Sequence, residues 1–81
     1  MNLTDRNPAT QHIIRYFAFG HLPAGPLRDR AQDCAAVAHM MVALLPDSPE
    51  LTAGLRKLLE AKDCFVRAAL DVSIPEQGEP S

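Results

Sequence analysis

Ser48-Pro49-Glu50-Leu51-Thr52-Ala53-Gly54-Leu55-Arg56-Lys57-Leu58-Leu59-Glu60-Ala61-Lys62-Asp63-Cys64-Phe65-Val66-Arg67-Ala68-Ala69-Leu70 is the stretch whose pattern decides the fold. Ser48 can accept a hydrogen bond from a free N–H of a starting helix, Pro49 presets the first helical φ, and Glu50 complements the positive end of the helix dipole. At about 100° per residue, Leu51, Leu55, Leu58, Leu59, Phe65, Val66, Ala69 and Leu70 fall on one broad arc. Arg56, Glu60, Asp63 and Arg67 fall on the opposite side, at spacings that let Arg56 pair with Glu60 and Asp63 with Arg67. The pattern predicts a helix from Pro49 to about Asp71.

Upstream, Pro46 ends a second helical pattern that begins at Pro26, where a proline's missing N–H would be unpaired anyway, and runs to about Leu45. Before it, Gly20-His21-Leu22-Pro23-Ala24-Gly25 breaks regular structure. A short first helix is predicted from Pro8 to Phe17, with Ile13, Ile14 and Phe17 on one side. The short connection at Pro46-Asp47-Ser48 implies that the two long helices run antiparallel. The expected fold is therefore all-α: an antiparallel helical hairpin preceded by a short N-terminal helix. Residues 1–7 are expected to be flexible, 8–72 to form the helical domain, and 73–81, with Pro75, Gly78 and Pro80, to be a disordered polar tail.

An 81-residue chain has a thin core, and one of this size rarely supplies more than about 3–5 kcal/mol without a metal, disulfides or oligomerisation. The second helix points to the last of these. Leu27, Ala31, Cys34, Ala38, Met41 and Leu45 make a stripe that can face the third helix, while Val37, Met40 and Leu44 make another well round the cylinder. One partner helix cannot cover both, so self-association through shared apolar faces is expected. Cys34 and Cys64 lie close to alanines in helical patterns and are expected to be reduced, buried thiols, the alternative being a disulfide that clamps the two long helices together.

With 8 basic and 10 acidic side chains and a net charge of −2, broad binding to duplex nucleic acid is disfavoured. No apolar run approaches the roughly 20 residues that span a bilayer, and Met1–Arg6 lacks the regions of a signal peptide, so no membrane partner and a cytoplasmic location are expected. His12, His21 and His39 have no metal-ligand spacing. No phosphate-binding glycine loop, zinc motif or cysteine quartet is present, so no cofactor and no catalysis are expected.

Two features can carry a ligand site. Lys62 lies inside the apolar arc of the third helix, where an ammonium needs a partner, a path to water or an anionic ligand. Tyr16, Phe17 and Phe19 precede the rigid Gly20-His21-Leu22-Pro23 turn; Phe17 is assigned to the core, and a ring left at a subunit junction can stack on a base or another flat ligand. Arg28, Arg30, Lys57, Lys62 and Arg67 can supply phosphate contacts.

The string Tyr16-Phe17-Ala18-Phe19-Gly20-His21-Leu22-Pro23, together with Leu51 to Leu70, resembles the phage anti-CBASS and anti-Thoeris helical-hairpin family, over about Gln11 to Leu70. That resemblance implies a sponge: an oligomer, commonly a hexamer, that sequesters cyclic oligonucleotide immune signals in pockets between protomers. It implies base stacking at the position of Phe19, with His21 close by in the motif. A phosphate-binding lysine of the family falls near Cys34-Ala35 here, and Arg28 or Arg30 is its substitute. The expected function is a phage- or prophage-encoded protein that binds a cyclic di- or trinucleotide through Tyr16, Phe19, His21, Arg28, Arg30, Lys57, Lys62 and Arg67. The alternatives are a helical protein-interaction adaptor and a small DNA-binding regulator reading the major groove through Arg56, Lys57 and Arg67.

Overall fold

The computed structural model describes residues 5–73. Over these the chain is all-helical, with α1 at Pro8–Ile14, a 3-10 turn at Arg15–Phe17, α2 at Pro26–Leu44 and α3 at Pro49–Ser73. Each helix begins at a proline. The expected first helix is thus α-helical only to Ile14 and tightens into the 3-10 turn before Phe17. α3 runs two residues beyond the expected Asp71. The predicted tail lies outside the described residues apart from Ser73.

The helix starts use the expected chemistry at α3 and a different one at α1. The Ser48 hydroxyl accepts from the Leu51 N–H at 3.1 Å. At α1 the Asn7 side chain accepts from the Ala9 N–H at 2.8 Å. α2 has no side-chain cap; Gly25 precedes it with φ +142° and ψ −170°, backbone that is essentially restricted to glycine.

The helices enclose one core, built from Ile13, Ile14 and Phe17 with Cys34, Ala35, Ala38 and Val42 of α2 and Leu51 and Leu55 of α3. Phe17, Val42 and Leu55 are among the most fully enclosed side chains. Phe17 therefore belongs to the core, as its sequence context predicts. The apolar arc of α3 is wider than its contact: Leu51, Leu55 and Ala69 are buried along the centre, whereas Phe65 at one margin is exposed. Leu45 departs from the expected stripe because it ends α2 in extended conformation, and it is 45% exposed.

Cys34 and Cys64 are both free thiols, but only Cys34 is buried. Cys64 corrects the expectation: on the wheel it falls away from Leu51 and Leu55, and Arg67 donates to its sulfur at 3.5 Å. The expected Arg56–Glu60 and Asp63–Arg67 ion pairs are not formed among the described residues. Fixing two long exposed side chains costs about as much as such a pair gains in water.

The N-terminal segment is fastened through the α2–α3 connection. Asp47 Oδ1 accepts from Arg6 Nε at 3.1 Å and Thr10 Oγ1 at 2.9 Å, and Oδ2 accepts from the Asn7 N–H at 2.8 Å. Arg6 also donates to the carbonyls of Val42 and Leu45, which lie at the α2 end where helical carbonyls lack partners. Residues 1–4 of the segment expected to be flexible lie outside the described residues; Arg6 and Asn7 make the bonds just given.

The Asn7 N–H, followed by the Thr10 hydroxyl and Arg6, holds the Asp47 carboxyl below its ordinary value of 3.8, against a smaller opposing effect of desolvation. A carboxyl whose folded value is depressed stabilises the fold above its unfolded value, and that contribution fades as pH falls through the folded one. Thermal melts from neutral pH to below pH about 3.8 should show an acid-dependent fall in Tm that is smaller in Asp47→Asn than in the parent.

Candidate functional site

The aromatic turn lies between the end of the 3-10 turn and the start of α2. Its main chain is set by three local constraints. The Ala18 N–H donates to Arg15 O at 3.3 Å, the Leu22 N–H donates to Phe19 O at 3.1 Å, and Gly25 turns the chain into α2. A fourth comes from α3: Lys62 Nζ donates to the Tyr16 carbonyl at 2.8 Å. Sequence reasoning flags Lys62 as a cation that needs a partner; the partner is a main-chain oxygen at the end of the 3-10 turn.

Two rings of the turn differ in setting. Tyr16 is 55% exposed, with its ring edge-on to His12 at 5.4 Å between centroids. Phe19 is half-buried against the core, and the Arg28 guanidinium lies over its ring at 5.9 Å from the centroid. His21 is exposed in the same turn. Of the predicted residues, Phe19 and Arg28 meet through ring and guanidinium, and Lys62 meets Tyr16 through the Tyr16 carbonyl; His21 shares only the turn with them.

The other predicted residues are placed elsewhere. Arg30, one turn or less beyond Arg28 on α2, pairs with Asp33 at 2.9 Å. Lys57 and Arg67 are exposed on α3, and no hydrogen bond or ion pair among the described residues joins them to the aromatic turn. Cys34 lies near Lys62 and Arg30: burial, and next the Asp33 charge, push its thiol up, while those two cations pull the other way. A thiol held protonated is a poor nucleophile.

Chemically, the turn offers a flat, half-buried ring with a guanidinium over it. A cation–π contact at an exposed site is worth about 0.5–1 kcal/mol, whereas stacking of a base on an aromatic ring is worth about 1–3 kcal/mol. Among the described residues no group of three or more His, Cys, Asp or Glu side chains could hold a metal ion. No helix among them is long and apolar enough to cross a membrane.

Sequence reasoning missed the Arg6–Asp47–Thr10 cluster; its Thr10 and Asp47, with Asn7, Ser48 and Thr52, line a cleft of about 400 Å³. A lone aspartate in a two-proline turn is the only local signal for it. No family model, curated protein or solved structure matches this chain.

Lys62→Met removes the strut under the aromatic turn while keeping an apolar side chain of similar length. A hydrogen bond to a charged group contributes about 1.5–3 kcal/mol, so the amide of Leu22 should exchange about tenfold faster or more. Global stability should change less, because methionine suits the apolar arc better than an ammonium does. Amide hydrogen exchange measured beside denaturant melts checks both outcomes.

Proposed function

We propose that this chain is an oligomeric binding protein that captures a cyclic di- or trinucleotide and withholds it from a host antiviral effector. Its two long helices form an antiparallel hairpin, and copies associate through shared apolar faces, with a hexamer favoured by the resemblance to the phage anti-CBASS family. The protein acts in the host cytoplasm by stoichiometric sequestration, with no bond broken.

The observation that supports this reading best is the Phe19–Arg28 pair, a half-buried ring under a guanidinium at 5.9 Å. It sits at the position where the resemblance implies base stacking. The ring receives a base, and Arg28 swings from the ring to a phosphate oxygen. His21 and the exposed Tyr16 flank the same turn, and Lys62 keeps the turn in place. Arg30, Lys57 and Arg67 reach a ligand only if a second copy brings the pocket to them. A turn already fixed by its main-chain bonds leaves little chain to order on capture, which favours tight binding.

The exposed Val37, Met40 and Leu44 stripe on α2 favours a second reading, a helical adaptor that docks another protein and has no nucleotide ligand. Calorimetric titration of the purified chain with a panel of cyclic di- and trinucleotides separates the two. The sponge reading expects saturable heat for at least one member of the panel. Phe19→Ala should weaken that binding by about tenfold or more, the equivalent of one lost stacking contact. Silence across the panel overturns the sponge reading.

A further inference from the structure

The α2–α3 seam carries an open groove on the side that α1 does not line. Three adjoining clefts, of about 300, 270 and 220 Å³, follow one another along it. Val37 and Leu58 line both the first and the second, and Arg30 and Phe65 line both the second and the third, so the clefts are one continuous groove. Beside it on α2 stand Met40, 49% exposed, and Leu44, 70% exposed.

The groove is self-complementary when turned end for end. Toward one end Phe65 projects, 54% exposed. Toward the other lies the largest of the three clefts, beside Gly54, where a side-chain carbon would meet nothing within 4 Å. Phe65 and Gly54 stand about 16 Å apart along α3, on either side of Leu58. A two-fold axis near Leu58 therefore carries a projecting ring onto a hole and a hole onto a ring.

The size also fits. The 19 residues of α2 make a face about 28 Å long and, with α3 beside it, about 20 Å wide. Once its corrugation is counted, such a face approaches the ~800 Å² per partner that stable interfaces bury.

We infer that this groove is closed by the same groove of a second copy, lying antiparallel, with each Phe65 ring seated in the other copy's cleft beside Gly54. The inference rests on the self-association in the proposed function and names the surface that makes it. The interface is isologous, so the same residues serve on both copies. A larger assembly would contain this pair as its unit.

Sedimentation of the full chain over a range of concentrations, with circular dichroism as a check on folding, provides the test. Phe65→Asp and Gly54→Leu should each keep the helical signal and weaken self-association by about thirtyfold or more. A wild-type monomer throughout overturns both this inference and the assembly part of the proposed function. An assembly untouched by either substitution overturns the groove alone. If either variant loses helical signal, cysteine pairing decides instead. Gly54→Cys chains are mixed with Phe65→Cys chains, each on a Cys34→Ala and Cys64→Ser background because Cys34 lines the groove, and oxidised. Predominance of the mixed disulfide dimer supports the antiparallel pairing; disulfides formed mainly between identical chains, or none, overturn it.

Discussion

Asp47 has two carboxylate oxygens and both are engaged by the first helix and its approach: Arg6 and the Thr10 hydroxyl on one, the Asn7 N–H on the other. The rest of the structure depends on that convergence. Arg6 adds the carbonyls of Val42 and Leu45, so one guanidinium joins the end of α2, the α2–α3 connection and the approach to α1. Because α1 is only seven residues long, it is too short to be a stable helix by itself. It needs both this polar fastening at its start and the burial of Ile13, Ile14 and Phe17 toward its end. With α1 held at both ends, the 3-10 turn and the aromatic rings after it have a fixed origin.

Lys62 solves a second problem for the same region. An ammonium within an apolar arc is costly unless it is paired, and a carbonyl at the end of a 3-10 turn lacks a partner further along the chain. Each meets the other's need at 2.8 Å. The result is a link between the middle of α3 and the start of the aromatic turn. α3 thus does more than fill the core: its Leu51 and Leu55 hold α1 and α2 together, and its one inward cation sets where the rings stand.

The three helices were legible because each reports itself locally. Pro26, Pro49 and the Ser48 cap mark starts, Pro46 marks a stop, and the apolar arc of α3 repeats at helical spacing. The exposure of Val37, Met40 and Leu44 was also readable, since one neighbour does not cover two stripes set about 110° apart round α2. What the sequence concealed is non-local or belongs to the main chain. Arg6 and Asp47 are 41 positions apart, and no periodicity connects them. The anomaly of Lys62 was visible, but its partner is a carbonyl, which every residue possesses. Cys64 was misplaced because alanine neighbours suggested burial, while its angular position beside Arg67 decides exposure. The grouping of Phe19 with Arg28 was within reach of sequence reasoning; the separation of Lys57 and Arg67 from them follows only from how α3 is turned about its axis.

The Lys62–Tyr16 bond has an evolutionary corollary. Lys62 grips the backbone of position 16 and leaves its phenol ring uninvolved, and the turn that follows is likewise shaped by main-chain bonds and by Gly25. The identities of the exposed side chains at positions 16 and 21 are therefore largely uncoupled from the bonds that shape the loop, whereas Phe19 is tied to the core it packs against. A lineage can exchange rings and charges there, one substitution at a time, without first rebuilding the scaffold. Drift at those two positions is cheap in stability, so this surface can diversify faster than the helices that carry it.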